Sequence, residues 1–124
     1  MPFSFSLINN EDGIAHLSAQ GDATAVDFRP TAAHHFDALL GEDWPSRRVL
    51  LNMERVPYID SSAIGWLIHA QRAFRAAGGK LVLHSISPSV RNVLDLLKIG
   101  RVVPLAPTAD AGRSLLLEKL PVPN

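Results

Sequence analysis

The chain has 124 residues, with 12 basic and 12 acidic side chains, five histidines and no cysteine. This length suits one domain that can bury a core of its own. The zero formal net charge gives no electrostatic case for nucleic acid or an anionic membrane as a partner. The lack of cysteine removes disulfides, thiolate chemistry and the usual zinc sites. No apolar run reaches the ~20 residues of a membrane helix and we find no signal peptide, so we expect a soluble cytoplasmic protein.

The N-terminal third is predicted to form a hairpin, a loop and a helix. Apolar and polar residues alternate over residues 3–7, which predicts a strand. Residues 14–18 form a second short strand, and the turn-forming stretch 9–13 between them ends in Asp-Gly, as hairpins often do. Residues 21–24 break the second strand and begin a loop. Pro30 suits the first position of a helix that ends near Gly41.

The rest of the chain alternates between strands and helices. The predicted strands are 47–52, 80–84 and 101–105, and the predicted helices begin after Asp60, Ser87 and Thr108. The buried face of the middle helix is expected to comprise Val90, Val93, Leu94 and Leu97. Strand–helix–strand repeats imply right-handed crossovers and largely parallel pairing. We therefore predict an α/β fold with a mixed sheet of about five strands and about four packed helices.

A carboxylate and two hydroxyls lie where a predicted strand gives way to a predicted helix. Asp60, Ser61 and Ser62 follow the strand 47–52 through a short turn, and a helical apolar pattern begins at Ile64. Aspartate and serine are favoured N-cap residues, so a purely structural capping role is one interpretation. Backbone N–H groups at a helix N-terminus also tolerate negative charge, so a phosphorylated serine here would be a local charge switch.

Several stretches, in this order and spacing, resemble the STAS domain, the fold of the anti-sigma-factor antagonists. They are Gly21-Asp22, 49–52, 59–65, 76–81 and 87–91, followed by Leu94. The Asp-Ser-Ser core is weak by itself, whereas its combination with the Gly-Gly-Lys-Leu strand start and the Ser-Pro helix start is specific. We therefore predict a STAS-like single domain over residues 1–120 and a loose C-terminal tail over 121–124.

The resemblance implies a partner-switching role. In this family the first serine after the aspartate accepts a phosphate, which here means Ser61. The kinase is the anti-sigma factor itself, an ATP-binding protein of the histidine-kinase-like class. The unmodified antagonist binds it through the loop from Asp22 to Thr24 and the helix that starts at Asp60, with Ser62 shaping the helix start. Phosphorylation releases the antagonist and a serine phosphatase resets it, so the domain is a substrate rather than an enzyme and takes no cofactor.

Three positions depart from the family pattern. Ala63 stands where glycine is usual, which adds a methyl group at the helix start and is expected to narrow access for a kinase. Thr24 occupies a position that often carries a second acid, so we expect weaker phosphorylation if that acid positions the kinase. Lys98 replaces a common glycine after the third predicted helix, so we expect that corner to be built differently.

Trp66 has two interpretations. It shares a helix stripe with Ser62 and His69, offset from the apolar face of the helix. Tryptophan is usually highly buried, so Trp66 can simply pack at the edge of the core. Tryptophan is also enriched at binding hot spots, so Trp66 can instead anchor a partner beside the serine.

A metal site and a serine hydrolase are both disfavoured. His34 and His35 point roughly 100° apart on a helix, so they do not chelate one ion easily. His69 lies two turns beyond Ser61, which is too far for a direct proton relay, although His84 ends a neighbouring strand and could approach. The serine also lacks the flanking glycines of the hydrolase nucleophile elbow.

A second reading keeps the fold and changes the partner. STAS-like domains also serve as non-catalytic subunits of lipid-importing ABC transporters and as parts of stress-signalling scaffolds. The serine junction would then dock on an ATPase subunit without being phosphorylated, and Thr24 and Ala63 are compatible with that role. The bound partner discriminates the two readings: a histidine-kinase-like ATPase in the first, a P-loop ATPase in the second.

Overall fold

The computed structural model describes residues 3–24 and 35–117. The strands there are β1 (Ser4–Glu11), β2 (Ile14–Gln20), β3 (Arg48–Arg55), β4 (Lys80–His84) and β5 (Leu105–Ala106). The α-helices are α1 (His35–Leu40), α2 (Ser61–Ala77), α3 (Pro88–Leu96) and α4 (Ala109–Leu117), with short 3-10 turns at Trp44–Ser46 and Ile99–Arg101. The predicted mixed α/β architecture is confirmed.

The strands form one sheet in the order β1-β2-β3-β4-β5. β1 and β2 pair antiparallel across the turn at Asp12 and Gly13, and each later neighbour pairs in parallel. The predicted hairpin and parallel crossovers are therefore confirmed. Because parallel strands share one direction, the carboxyl ends of β2, β3 and β4 meet at one edge of the sheet. The loops that follow those ends gather there, where ligands and partners of open α/β sheets usually bind.

Helices cover both faces of the sheet. The larger core lies under α1, α2 and α3, and its members occupy every second position of a strand, as Val49, Leu51 and Met53 do in β3. α4 packs on the opposite face over a smaller cluster that comprises Ile14, Leu50, Val82, Ala106 and Leu116. β3 and β4 are buried on both faces, which explains their continuous apolar runs.

The last strand starts later than the sequence predicts. The predicted strand spans 101–105, whereas β5 comprises only Leu105–Ala106. The chain before β5 is curled because Val102 and Val103 both donate their N–H groups to the carbonyl of Ile99, at 2.8 Å each. A 3-10 turn and its exit therefore replace most of the predicted strand.

Other expectations differ in smaller ways. The predicted turn at 9–13 is shorter because β1 pairs with β2 as far as Glu11. Leu97, predicted to be buried, is 56% exposed at the C-terminal end of α3, where the helix stops and Lys98 takes a left-handed backbone conformation. The predicted helix start at Pro30 and the predicted tail at 121–124 lie outside the described residues.

Candidate functional site

The Asp-Ser-Ser stretch begins α2 at the edge where the parallel strands end. Asp60 has an extended backbone, and its Oδ1 accepts hydrogen bonds from the N–H groups of Ser62 at 2.9 Å and Ala63 at 3.1 Å. The Asp60 carbonyl accepts the Ile64 N–H at 3.1 Å. Asp60 is therefore the N-cap of α2, as its residue type predicts. Ser61, the first helical residue, is exposed.

The loop after β2 is fastened to the segment that precedes α2. Ala23 donates its N–H to the Tyr58 carbonyl, and the Ala23 carbonyl accepts the Asp60 N–H, both at 3.0 Å. Ala23 is buried, whereas its neighbours Asp22 and Thr24 are half-buried. These bonds bring together the two segments that the resemblance assigns to partner binding.

The start of α3 is fastened to the same segment. Ser87 donates its hydroxyl to the Val56 carbonyl, and Ser89 donates its hydroxyl to the Pro57 carbonyl, both at 3.1 Å. Ser87 occupies the predicted N-cap position of α3, but its side chain makes no capping bond. Its hydroxyl bonds across to the β3–α2 connection instead, so that connection is held from two sides.

Ala63 and Trp66 lie on the inner side of α2. Ala63 is 1% exposed within the larger core, so its methyl group points inward, and the expected narrowing of access is wrong. Trp66 is half-buried; its ring stacks on Phe5 with centroids 5.4 Å apart and meets Phe36 edge-on at 5.1 Å. This contact network matches the packing interpretation of Trp66, and its role in partner binding stays a prediction.

His84 is directed away from this site. It follows the core residue Leu83 in β4, so its ring lies on the face that α4 packs against. Its Nδ1 lies 2.8 Å from the Ser85 hydroxyl oxygen. Burial lowers the pKa of His84, nearby His16 lowers it further, and Glu54 opposes both effects.

Within residues 3–24 and 35–117, no cluster of three or more histidines and carboxylates could hold a metal ion.

Tyr58 belongs to the site although sequence reasoning missed it. Its side chain is 55% exposed, and its backbone lies between the loop after β2 and the start of α3. The signal in the sequence was an aromatic residue in a turn that leads into a helix. Aromatic side chains are usually well buried, so an aromatic residue in a turn is notable. The bonds of Ser87 and Ser89 were also missed, because each links residues about thirty positions apart.

A search of family models matches the STAS domain to residues 11–112. The chain belongs to the STAS domain family. BtrV of Bordetella bronchiseptica, described as a candidate anti-sigma factor antagonist, is 29% identical to this STAS protein over 79 residues, which are 64% of this chain and 68% of BtrV. The resemblance read from the sequence is therefore confirmed at the level of the family.

Solved structures share the fold of this STAS protein. The protein TM1081 of Thermotoga maritima superposes with a TM-score of 0.75 at 20% identity, over 96% of this chain and 91% of that one. The unphosphorylated anti-sigma factor antagonist SpoIIAA gives 0.62 at 21% identity, over 89% and 92%. The phosphorylated form from Bacillus gives 0.58 at 18%, over 92% and 99%. The predicted STAS-like fold is confirmed.

The described helices of this STAS protein are short or carry many polar residues. Within residues 3–24 and 35–117, none is both long and apolar enough to cross a membrane.

Proposed function

We propose that this STAS protein is an anti-sigma-factor antagonist that is switched off by phosphorylation of Ser61. The observation that carries the proposal is the exposed Ser61 at the start of α2, between two loops that are tied to one backbone segment. A partner can reach the serine and its surroundings without disturbing the core. The similarity to BtrV and to SpoIIAA, whose structure is known with and without phosphate, supports the proposal.

The proposed partner is an anti-sigma factor of the histidine-kinase-like ATPase class, and a serine phosphatase reverses the modification. The contact surface comprises Asp22, Thr24, Asp60 and Ser62, with Trp66 at its margin. In this role the domain is a cytoplasmic binding partner and kinase substrate, without catalysis, cofactor or DNA contact of its own. It regulates sigma-factor-dependent transcription by occupying the protein that otherwise holds the sigma factor.

Phosphorylation changes the charge where the partner binds. A phosphate adds about −1.5 to −2 charges directly beside the Asp60 carboxylate. A helix N-terminus usually favours an anion, but Asp60 already accepts the N–H groups of Ser62 and Ala63. The phosphate on Ser61 is therefore poorly compensated once a partner removes its water. A hundredfold loss of affinity needs only about 2.7 kcal/mol.

The test uses unmodified protein, Ser61→Asp and Ser114→Asp as baits in a lysate of the native organism. Ser114 is an exposed serine of α4 on the opposite face of the sheet, so its variant adds the same charge away from the site. We expect the unmodified and Ser114→Asp baits to capture a histidine-kinase-like ATPase and the Ser61→Asp bait to lose it. Incubation of that purified ATPase with ATP should phosphorylate the unmodified protein and leave Ser61→Ala unmodified.

Two results would contradict the proposal. Undiminished phosphorylation of Ser61→Ala would show that another residue accepts the phosphate. Equal capture of a transporter P-loop ATPase or of scaffold subunits by all three baits would make Ser61 a structural residue and the domain a phosphorylation-independent adaptor.

A further inference from the structure

Tyr58 is unusual among the aromatic residues of the described structure. Phe3, Phe36, Trp44 and Phe74 are buried, and Phe5 and Trp66 are partly buried, whereas Tyr58 is 55% exposed. A large aromatic side chain in water gains much from being covered by a partner, since such side chains dominate the energetics of interfaces. The question is therefore what covers Tyr58.

The backbone that carries Tyr58 is fixed on both sides. Its carbonyl accepts the Ala23 N–H, and the preceding Pro57 carbonyl accepts the Ser89 hydroxyl. The flanking residues Val56 and Ile59 are 0% and 5% exposed, so they hold the turn in the core. An exposed ring on a fixed backbone loses little conformational entropy on binding, because only its own two side-chain torsions have to be ordered.

The charged residues around Tyr58 indicate what kind of partner surface would receive the ring. Asp22 precedes Ala23 in the chain, and the backbone of Ala23 is hydrogen-bonded to both Tyr58 and Asp60. Two carboxylates therefore lie near the base of the ring, together with one exposed cation, Arg55, whose carbonyl accepts the Gly21 N–H. The complementary partner surface is an apolar cleft bordered by lysine or arginine, which can also lie over the ring face.

We propose that Tyr58 is the aromatic anchor of the interface with the anti-sigma ATPase, inserted into an apolar cleft with a basic rim. This inference rests on the proposed function and names a contact that the serine itself does not supply. The anchor role fits Tyr58 better than Trp66. The Trp66 ring already packs on Phe5 and Phe36, so less of its surface remains for a partner to bury.

The test measures binding of the purified ATPase captured by the unmodified protein, by calorimetry or surface plasmon resonance. Tyr58→Ser should weaken binding about thirty-fold, the loss typical of a binding hot spot. Tyr58→Phe keeps the ring and should stay within about threefold of the unmodified protein, because burial of the ring supplies most of the gain. Leu97→Ser is the matched control: Leu97 is 56% exposed after α3, and its loss should leave affinity unchanged.

The outcomes separate this inference from the function on which it rests. Thermal melting should show Tyr58→Ser and Leu97→Ser folded alike, since both side chains are exposed. If Ser61→Asp abolishes binding while Tyr58→Ser binds like the unmodified protein, the anchor is wrong and the antagonist role stands. If Tyr58→Ser and Leu97→Ser weaken binding equally, the effect is not local to the site and the anchor is again wrong. If the unmodified protein captures no such ATPase, the proposed function fails, and this inference fails with it.

Discussion

Lys98 has a backbone conformation that is unfavourable for residues other than glycine. It follows α3 with a φ of 56°, in the left-handed region, and its N–H donates to the Asp95 carbonyl at 3.1 Å. This conformation costs an L-residue roughly 1–2 kcal/mol, whereas glycine adopts it freely. The corner therefore has a glycine-like turn although it carries a lysine, so the expectation of a different construction is not met.

Replacing this lysine should stabilise the protein. Lys98→Gly removes the strain but adds freedom to the unfolded chain, so we expect a net gain of about 0.5–1 kcal/mol in the free energy of unfolding. Urea denaturation measures it. Lys98→Ala is the control because alanine keeps the strain, and an equal gain in both variants would assign the effect to the lost charge instead.

His84 makes stability depend on pH. Burial lowers its pKa, so the folded protein favours the neutral imidazole. Above the ordinary histidine pKa of about 6.5 the ring is neutral in both states and contributes no pH dependence. Below that value the unfolded chain binds the proton first, so stability falls as the pH drops, until the pKa of the folded state has been passed.

We therefore expect the melting temperature to decrease between about pH 6.5 and pH 5, with part of the slope due to His84. His84→Asn keeps a polar atom for Ser85 but cannot be protonated, so its profile should be flatter over that range. Thermal melts at several pH values compare the two proteins. An identical slope would mean that other groups, carboxylates among them, control the acid response.

Among the helices and strands, α2 has a capped start and a capped end, and between them it contains a glycine with free space beside it. Asp60 caps its start, and at its end Gly78 has a φ of 86° and donates its N–H to the Phe74 carbonyl. Gly65 lies one turn after Ser61, and a Cβ placed on it would meet nothing within 4 Å. The packing of the described residues therefore does not require glycine at this position.

Gly65→Ala should raise the free energy of unfolding by roughly 1 kcal/mol, because alanine favours the helix interior. Chemical denaturation tests this expectation. Gly79→Ala is the opposing control: its Cβ would collide with the carbonyl oxygens of Pro45 and Arg47, so that variant should lose stability. Destabilisation by Gly65→Ala would show that the helix surface is more crowded than the structure indicates.

For the molecule as a whole, the sequence predicted those structural features that depend on residues close together in the chain. The hairpin, the alternation of strands and helices, and the Asp60 cap all follow from patterns within a few residues. Contacts between distant parts of the chain could not be read in this way. The Ala23 bond to Tyr58 and the Ser87 bond to Val56 join segments over thirty positions apart, so no local pattern announces them.

The candidate site was predictable only in part for the same reason. Asp60, Ser61 and Ser62 were found because a motif contains them. Tyr58 was missed because its exposure depends on what packs around it, and the inward direction of Ala63 depends on how α2 is turned against the sheet.

The packing of α4 on the sheet face opposite α2 leads to a further prediction. Gly112 of α4 lies so close to Leu50 that a Cβ there would press into the Leu50 side chain, whereas it would meet Val82 at ordinary contact distance. Gly112→Val should therefore lower the free energy of unfolding by about 1–3 kcal/mol. Ser114→Val, an exposed change in the same helix, is the control. Below its melting temperature Gly112→Val should still undergo the proposed phosphorylation of Ser61, since α4 packs on the face opposite α2. Loss of phosphorylation in this variant alone would reveal coupling between the faces.

The strands stand side by side in the order in which the ribosome makes them. Synthesis adds about 5–20 residues per second, so the hairpin can form first and each later strand can join the open edge. No described strand has to insert between two others. The bonds from Ser87 and Ser89 form only once α3 has been made, so the nascent chain completes its proposed partner-binding surface late, after α2 has already emerged.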